Sequence, residues 1–320
     1  MTPVFARRLH FVVGKGGVGK TTVSAALARM LADTGRRTLA VEMDTVGRLP
    51  AVLGTTASIG TPRQVTPTLA VVSIDGRAAL EEYLGLVIPV KRLLSTVFAS
   101  RIYQYFVAAA PGLKELMTVG KVWYETTRQD GGRPVWDAVV VDAPATGHGL
   151  QYLRMPQAAR DTFGVGIVQR EATRVVELMQ DARTTAVHLV TLPEDMPVTE
   201  ALEAHAQLTG PLGLPAGAVI VNRIHRRRFE PDVLATLERA ATAATGDERA
   251  LLHAVAERAH EETSWATINA QQLERLRAAI GATPVVELPY LFAEEFGDRE
   301  IATIASDLRK AAALPVARRA

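Results

Sequence analysis

The stretch GKGGVGKTT, at residues 14–22, constrains the fold of this chain more than any other feature. It directly follows the apolar run LHFVV at residues 9–13, which is typical of a buried β-strand. Apolar residues then recur at helical spacing from Val23 until Gly35, which can end a helix. A strand, a glycine-rich loop and a helix in this order predict a β–α unit whose loop can bind an anion.

The loop fits two ligand-binding patterns at once. Gly14, Gly16 and Gly19 satisfy G-x-G-x-x-G, the pattern of dinucleotide-binding proteins. Gly19, Lys20 and Thr21 also complete G-x-x-x-x-G-K-[ST], the phosphate loop that binds a nucleoside triphosphate. The ligand therefore has to be decided from residues around the loop.

Most of those residues favour the triphosphate. Glu42 supports a dinucleotide, because it stands at about the offset where an acidic residue would bind a ribose. Lys20 and Thr21, however, have roles only in a phosphate loop, where the lysine reaches the outer phosphates and the threonine hydroxyl binds Mg²⁺. Asp142 ends the apolar run AVVVD, a Walker B pattern that holds magnesium directly or through water.

We therefore predict a nucleoside triphosphate with Mg²⁺, and we expect the metal to be held by Thr21 and Asp142. The residues predicted to cradle the phosphates are Gly14, Gly16, Gly17, Val18, Gly19, Lys20, Thr21 and Thr22.

Seven apolar runs predict the strands of one sheet. They lie at residues 9–13, 38–44, 69–75, 136–144, 186–193, 217–223 and 283–289. Because they are almost continuously apolar and alternate with helical stretches, they predict a doubly wound, mostly parallel α/β sheet with ligands at the carboxyl ends of its strands. We expect a single domain over residues 1–320. Three long connections are rich in helix-forming residues and predict helical insertions that form a subdomain, at about residues 76–134, 156–185 and 224–282.

The composition excludes several kinds of protein. The 320 residues include no cysteine, which excludes disulfides, cysteine-ligated zinc, thiolate-bound iron–sulfur clusters and cysteine nucleophiles. The 36 basic and 34 acidic residues nearly balance, so no general field attracts nucleic acid or anionic lipid. The first residues lead into a strand without a signal-peptide cleavage site, and no apolar run is long enough to cross a bilayer. We therefore expect a cytoplasmic protein that does not bind nucleic acid.

Two segments resemble a known group of ATPases. KGGVGKTT, at residues 15–22, resembles the deviant Walker A loop of the SIMIBI ATPases, which dimerise around their nucleotides and include MinD, ParA, nitrogenase iron protein and ArsA. DAPATGHGLQYLRMP, at residues 142–156, resembles switch II of the ArsA family, which contains arsenical-pump ATPases and eukaryotic ATPases that target tail-anchored membrane proteins. The resemblance implies a SIMIBI-class P-loop fold and ATP as the nucleotide. It also implies a Mg²⁺-dependent dimeric switch that acts on a protein or membrane-protein client.

The resemblance also implies roles for individual residues. Asp44 matches the switch I aspartate that orients the attacking water, and Lys15 matches a signature lysine that crosses the dimer interface to the partner's nucleotide. With Lys20, they are the residues implied to act in catalysis. The adenine would be contacted by Asn222, Pro289, Leu291 and Phe292. Switch II would include Asp142, Pro144, Thr146, Gly147 and His148.

The chain departs from the family pattern in three places. The cysteines that bind zinc between family subunits, and those that bind arsenite, are absent. Residues 45–48 read TVGR where the family has P-A-H-N after the aspartate. The connection after switch II is short, so we expect the helical region that cradles a transmembrane client to be reduced. Arsenite activation and tail-anchor targeting are therefore not implied.

Two other functions stay open. A ParA- or MinD-like positioning ATPase would bind DNA or membrane, and the residues 301–320 are a weak amphipathic candidate that Pro315 interrupts. Alternatively, the chain is one subunit of a heterodimer whose other half is a related ATPase.

Three further polar groups are interpreted as structural. His253, Glu257 and His260 lie near one helical face, which we interpret as a solvated face rather than a metal site. The arginines at residues 226–228 are interpreted as a solvated turn. Asp75 ends the third predicted strand and is predicted to cap the next helix.

Overall fold

The structure is a computed structural model that describes residues 4–44, 46–87, 98, 100–101, 112–163 and 165–313, with only the backbone at residues 86–87 and 146–148. The strands in these ranges are β1 (Leu9–Gly14), β2 (Thr38–Met43), β3 (Arg63–Thr66), β4 (Leu69–Ile74), β5 (Gln129–Asp130), β6 (Arg133–Pro134), β7 (Ala138–Asp142), β8 (Thr185–Thr191), β9 (Ala216–Ile224) and β10 (Val285–Pro289). The α-helices are α1 (Lys20–Ala32), α2 (Arg48–Val52), α3 (Gly76–Val87), α4 (Leu113–Thr127), α5 (Thr146–Thr162), α6 (Ile167–Gln180), α7 (Asp195–Thr209), α8 (Pro231–Ala243), α9 (Gly246–Ala279) and α10 (Asp298–Ala313).

The main sheet has eight strands in the order β10–β9–β8–β1–β7–β2–β4–β3. Neighbouring strands are parallel, except that β3 runs antiparallel to β4. Each of the seven predicted apolar runs forms one of these strands, so the doubly wound, mostly parallel sheet is confirmed. Because β1 lies between β7 and β8, the glycine loop that follows it opens at the middle of the carboxyl edge.

Alternate residues of the central strands enter two apolar cores on opposite faces of the sheet. Phe11 packs in the core that also contains residues of α4, α5, α6, α7 and α9. Val12 packs in the other core, with residues of α1, α2 and α10. Burial on both faces explains why these strands read as continuous apolar runs rather than alternating ones.

The sequence patterns missed the sheet edge and a small hairpin. The edge strand β3 is RQVT, and three of its four residues are exposed, so it has no apolar run to reveal it. The hairpin of β5 and β6 has two residues in each strand and is paired only with itself. Both are held by backbone pairing with a neighbour, which composition does not report.

The predicted insertions contain helices in their described parts. Residues 76–134 contain α3, α4 and the hairpin, while residues 88–97, 99 and 102–111 lie outside the described residues. Residues 156–185 contain the end of α5 and all of α6, and residues 224–282 contain α8 and α9, which pack against each other. The assignment of one domain with a helical subdomain stays a prediction.

The start of α3 is capped by the side chain of Asp75. This carboxylate accepts a hydrogen bond from the backbone N–H of Ala78 at 2.9 Å, which confirms Asp75 as the cap of α3. Over the described ranges, no helix combines the length and the apolar character needed to span a membrane.

Candidate nucleotide site

Two glycines let the loop after β1 pass close to other backbone and side-chain atoms. Gly14 has a φ of 155°, and a Cβ there would lie 2.2 Å from the carbonyl oxygen of Val190 on β8. Gly19 begins α1 with a left-handed φ of 93°, and a Cβ there would lie 2.4 Å from Nδ2 of Asn222. No other residue type fits either position without displacing these neighbours. The loop path therefore depends on both glycines.

Lys20 is the first residue of α1 and lies back across the loop. Its Nζ donates a hydrogen bond to the carbonyl oxygen of Lys15 at 2.9 Å. Burial lowers the pKa of the Lys20 ammonium, the nearby Asp142 carboxylate raises it, and the Arg48 guanidinium lowers it. The ammonium is thus held at the mouth of the loop, where the resemblance predicts a phosphate.

Asp142 ends β7 next to β1 and contacts the first turns of α1. Its Oδ2 accepts a hydrogen bond from the hydroxyl of Thr21 at 2.7 Å, and its Oδ1 accepts one from Ser24 at 3.0 Å. The carboxyl is only 6% exposed. Burial raises its pKa to about 6, while the two hydroxyls and Lys20 lower it and the charge of Glu42 raises it. The predicted metal ligands Thr21 and Asp142 are therefore in direct contact.

Ser24 belongs to this cluster, although the sequence patterns did not single it out. It lies on α1 one turn beyond Lys20 and Thr21, and it is fully buried. A serine inside an otherwise alanine- and leucine-rich helix face was the available signal, because a buried hydroxyl needs a partner.

Glu42 is occupied by structural hydrogen bonds. The backbone N–H groups of Gly47 and Arg48 donate to its carboxylate at 2.8 and 2.9 Å, and the hydroxyl of Ser73 donates at 2.8 Å. The carboxylate is fully buried and caps the start of α2. This removes the support that its position lent to the dinucleotide pattern.

Asp44 directly follows β2 and is held by its surroundings. Its φ is 57°, an uncommon left-handed value for a residue with a side chain. The hydroxyl of Tyr152, on α5, donates a short hydrogen bond to Oδ2 of Asp44. Partial desolvation raises the pKa of Asp44, and the negative charges of Asp75 and Glu115 raise it further. Tyr152 lies within the switch II segment, but only the structure connects it to Asp44.

Lys15 is paired within its own chain. Its Nζ forms a short ion pair with Oε1 of Glu200 on α7, and the lysine side chain stays 45% exposed. The other oxygen of Glu200, Oε2, is buried without a hydrogen-bond partner among the described residues. An open groove of about 760 Å³ lies beside this pair, between α5 and α7, and Arg154 and Glu203 are among its lining residues.

The predicted adenine residues lie on the β9–β10 side of the loop. Asn222 is buried, and its Nδ2 donates to the carbonyl oxygen of Val18 at 2.9 Å, so that its amide supports the loop from below. Pro289 ends β10, Leu291 packs at the margin of a core, and Phe292 is 62% exposed beside Tyr290. Their contact with adenine stays a prediction.

The predicted switch II residues surround the start of α5. Asp142 ends β7 and Pro144 follows it half-buried. Thr146, Gly147 and His148 form the first turn of α5, and their side chains lie outside what the structure describes.

The other polar groups make local contacts. His260 pairs with Glu238 on the neighbouring helix, at 2.7 Å between Nε2 and Oε1, rather than with His253. Arg228 lies over the ring of Phe292, at 4.7 Å from the centroid. In the ranges that the structure covers, no three histidine, aspartate or glutamate side chains form a group that could hold a metal.

The position of the loop in the sheet is typical of one class of enzyme. A glycine loop with Lys20 and Thr21 follows a central parallel strand, and the carboxylate of Asp142 ends the adjacent strand, which is the arrangement of a P-loop ATPase. The sequence profile of the ArsA ATPase family, described as anion-transporting ATPase, matches residues 7–170. The chain belongs to this family and is an ATPase.

Several relatives carry related names. ATPase BagA of Mycobacterium tuberculosis is 38% identical over 244 residues, which cover 71% of this chain and 68% of the relative. A putative arsenical pump-driving ATPase of Halobacterium salinarum is 28% identical over 238 residues, covering 69% of this chain and 36% of that protein. The arsenical pump-driving ATPase of Escherichia coli is 26% identical over 237 residues, covering 67% of this chain and 39% of that protein. This chain therefore matches less than half the length of the two pump-driving relatives.

Proposed function

We propose that this ATPase is a Mg²⁺-dependent switch that dimerises around ATP. In this proposal, hydrolysis changes the shape of a surface that binds or releases a protein or transport partner. The observation that supports it most is the direct contact between the Thr21 hydroxyl and the Asp142 carboxylate, which joins the phosphate loop to the end of β7. A link between these two groups lets the state of the phosphates alter the position of switch II.

The residues at this point fit Mg²⁺. Thr21 and Asp142 offer oxygen ligands, which magnesium prefers, and burial raises the pKa of the Asp142 carboxyl, whose charge a bound cation would stabilise. When bound, the ion would supply positive charge beside the outer phosphates. Lys20 would neutralise further phosphate charge, and the backbone N–H groups of residues 16–21 would hold the phosphate oxygens.

The remaining predicted roles concern water and adenine. Asp44 would orient the attacking water, since a phosphoryl transfer depends mainly on positioning and charge rather than on strong base catalysis. The side of the loop formed by β9 and β10 would hold adenine, through Asn222, Pro289, Leu291 and Phe292. The cellular site that we propose is the cytoplasm.

The pairing of Lys15 supports a dimer-dependent role for that residue. Its ammonium pairs with Glu200 of the same chain, and its side chain is exposed enough to exchange Glu200 for another anion. ATP bound to a facing subunit supplies such an anion, whereas a diphosphate lacks the outermost charge. We propose that Lys15 leaves Glu200 and contacts the partner's nucleotide when two subunits close on ATP.

A mixing experiment tests this role. Lys15→Ala and Lys20→Ala subunits, each inactive alone, are combined and phosphate release is measured. If Lys15 acts across the interface, the Lys15→Ala subunit keeps its own Lys20 and receives an intact Lys15, so partial activity returns. No recovery, in mixtures shown to exchange subunits, would assign Lys15 to its own site.

Sedimentation decides between the assemblies. The Asp44→Asn protein with ATP and Mg²⁺ is expected to sediment as a dimer, and with ADP as a monomer. A protein that stays monomeric with ATP would favour the heterodimer with a related ATPase. ATP-dependent binding to DNA or to anionic vesicles would favour a ParA- or MinD-like positioning ATPase instead. A pull-down with the ATP-locked variant is the route to the unknown client.

A further inference from the structure

The hydroxyl of Tyr152 joins the two predicted switches. Tyr152 lies on α5, the helix that begins with switch II, and its side chain is 3% exposed. Its ring packs in the apolar core, where a leucine could fill a similar space. A buried tyrosine hydroxyl needs a hydrogen-bond partner, and the partner here is Oδ2 of Asp44 in switch I.

Asp44 is fixed from three directions. Its backbone N–H donates to the carbonyl oxygen of Ile74 at 3.1 Å, which sets the chain path after β2. Its carboxylate accepts a hydrogen bond from Tyr152, and the backbone N–H of Gly76, at the start of α3, lowers its pKa. An aspartate carboxylate has about four lone pairs, so two donors leave acceptor capacity for a water molecule.

We propose that Tyr152 is the positioning residue that orients the carboxylate of Asp44 for its water. This inference rests on the proposed role of Asp44 in hydrolysis. Because Tyr152 moves with α5, a shift of switch II displaces the hydroxyl and with it the water-orienting carboxylate. The pair thereby makes the geometry of hydrolysis dependent on the state of switch II.

The charges around Asp44 explain why the hydroxyl matters. Asp75, which precedes α3, and Glu115, on α4, are negative neighbours that raise its pKa, while Lys114 on α4 lowers it. A hydrogen bond from Tyr152 favours the charged form of the carboxylate. Without the hydroxyl, the carboxylate would have fewer donors against the same negative neighbours, and it would become protonated at higher pH.

The variant Tyr152→Phe removes the hydroxyl and keeps the packed ring. We expect kcat for ATP to fall about 10- to 100-fold, as for loss of a group that orients a reacting side chain, while KM for ATP stays within about twofold. The acidic limb of the kcat–pH profile is expected to move to higher pH. Tyr124→Phe is the matched control, since Tyr124 lies on α4 with its ring 40% exposed.

Three comparisons keep this inference distinct from the proposed function. If Asp44→Asn loses turnover and Tyr152→Phe keeps full kcat, the inference is overturned and the role of Asp44 stands. If Asp44→Asn keeps full turnover, the proposed role of Asp44 is wrong, and the inference about Tyr152, which rests on that role, is overturned with it. The double variant is expected to be no slower than Asp44→Asn alone, because the hydroxyl acts only through that carboxylate. Tyr152 would be a packing residue only if the losses of kcat in the two single variants add up in the double variant. The same conclusion would follow if the loss of kcat in Tyr152→Phe were matched by a lower thermal unfolding midpoint.

Discussion

Two groups of buried polar side chains lie on the same sheet and differ in how completely they are satisfied. In the first group, His10 on β1 and His188 on β8 face each other at 3.1 Å between Nδ1 and Nε2. The outer nitrogen of His10 bonds the carbonyl oxygen of Arg7 at 2.9 Å, and that of His188 accepts from the backbone N–H of Ala218 at 3.1 Å. The second group is Asp142 with the hydroxyls of Thr21 and Ser24.

The histidine group is closed, in the sense that each of its ring nitrogens has a hydrogen-bond partner. Ala218 can only donate and the Arg7 carbonyl can only accept, so each ring must be neutral, with one protonated nitrogen. Burial lowers the pKa of His10 to about 3 and lowers the pKa of His188 well below its usual value, which agrees with two neutral rings. A network with every nitrogen paired has no capacity for a ligand, and we interpret it as structural.

The Asp142 group is open, in the sense that its buried negative charge is bonded only by neutral hydroxyls in the part of the chain that the structure describes. Its carboxylate is buried with neutral hydroxyls as its hydrogen-bond donors, and its pKa is raised instead of lowered. Lys20 is the cation whose charge reaches it, and that ammonium bonds the loop backbone. Burial alone therefore does not distinguish a candidate functional site from a structural group. The Asp142 group differs from the histidines because its buried negative charge lies at the mouth of the loop and has no cation bonded to it among the described residues.

The largest expected effect comes from removing the ammonium of Lys20, whose charge reaches the Asp142 group. Lys20→Ala should lower kcat by about 1000-fold or more, because a positive group beside the transferred phosphate is lost. The thermal unfolding midpoint should change little. Phosphate release measures the loss, and Lys310→Ala, which removes an exposed lysine of α10, is the control. Wild-type turnover by Lys20→Ala would end the assignment of this loop as a phosphate loop.

The next effect separates the two hydroxyls that contact Asp142. Thr21→Ala should lower kcat by about 100-fold and raise the Mg²⁺ concentration needed for half-maximal rate, because a metal ligand is lost. Ser24→Ala loses a similar hydrogen bond one turn away and should leave the Mg²⁺ dependence near that of the wild type. Thr21→Ser should restore the rate. Equal Mg²⁺ dependence in both alanine variants would argue against Thr21 as a ligand.

A third substitution disrupts the histidine group and should change the stability of the protein without changing its ATP turnover. His10→Leu leaves His188 with a buried unpaired N–H, which costs about 1 to 3 kcal/mol of the free energy of unfolding. Denaturant unfolding measures this cost. ATP turnover at a temperature well below unfolding should remain close to wild type, since the histidines lie away from the loop. A loss of kcat in the folded variant would mean that the two groups are coupled.

The last effect is the pH dependence that the two histidines impose on stability, which requires no loss of turnover. The pKa of His10 is lowered in the folded protein, so between about pH 6.5 and pH 3 the unfolded chain binds a proton that the folded chain does not. Stability is therefore full above pH 6.5 and falls as the pH falls, by about 2 kcal/mol for this residue between pH 7 and pH 5. His188 acts in the same direction. Unfolding of His10→Leu/His188→Leu should show a shallower decline over this range, and an unchanged decline would show that other groups cause it.

The main strands of the sheet and the phosphate loop could be predicted from the amino-acid sequence alone. Strands that are buried on both faces must be apolar along their length, so the seven main runs were visible without the structure. A phosphate loop has its glycines, lysine and hydroxyl at set spacing within a short segment. Residues 14–22 could therefore be predicted as a unit. The cap at Asp75 was equally local, because it bonds a backbone group on the next turn.

The pairing of polar groups that are distant in the chain could be seen only in the folded structure. Tyr152 with Asp44, Lys15 with Glu200, and His10 with His188 each join residues far apart in the chain, and no local pattern specifies such partners. The edge strand β3 was hidden for a related reason, since its backbone pairing with β4 requires no apolar side chains. Local patterns reveal what a segment needs by itself, whereas a buried polar side chain is satisfied by whichever element the fold brings to it.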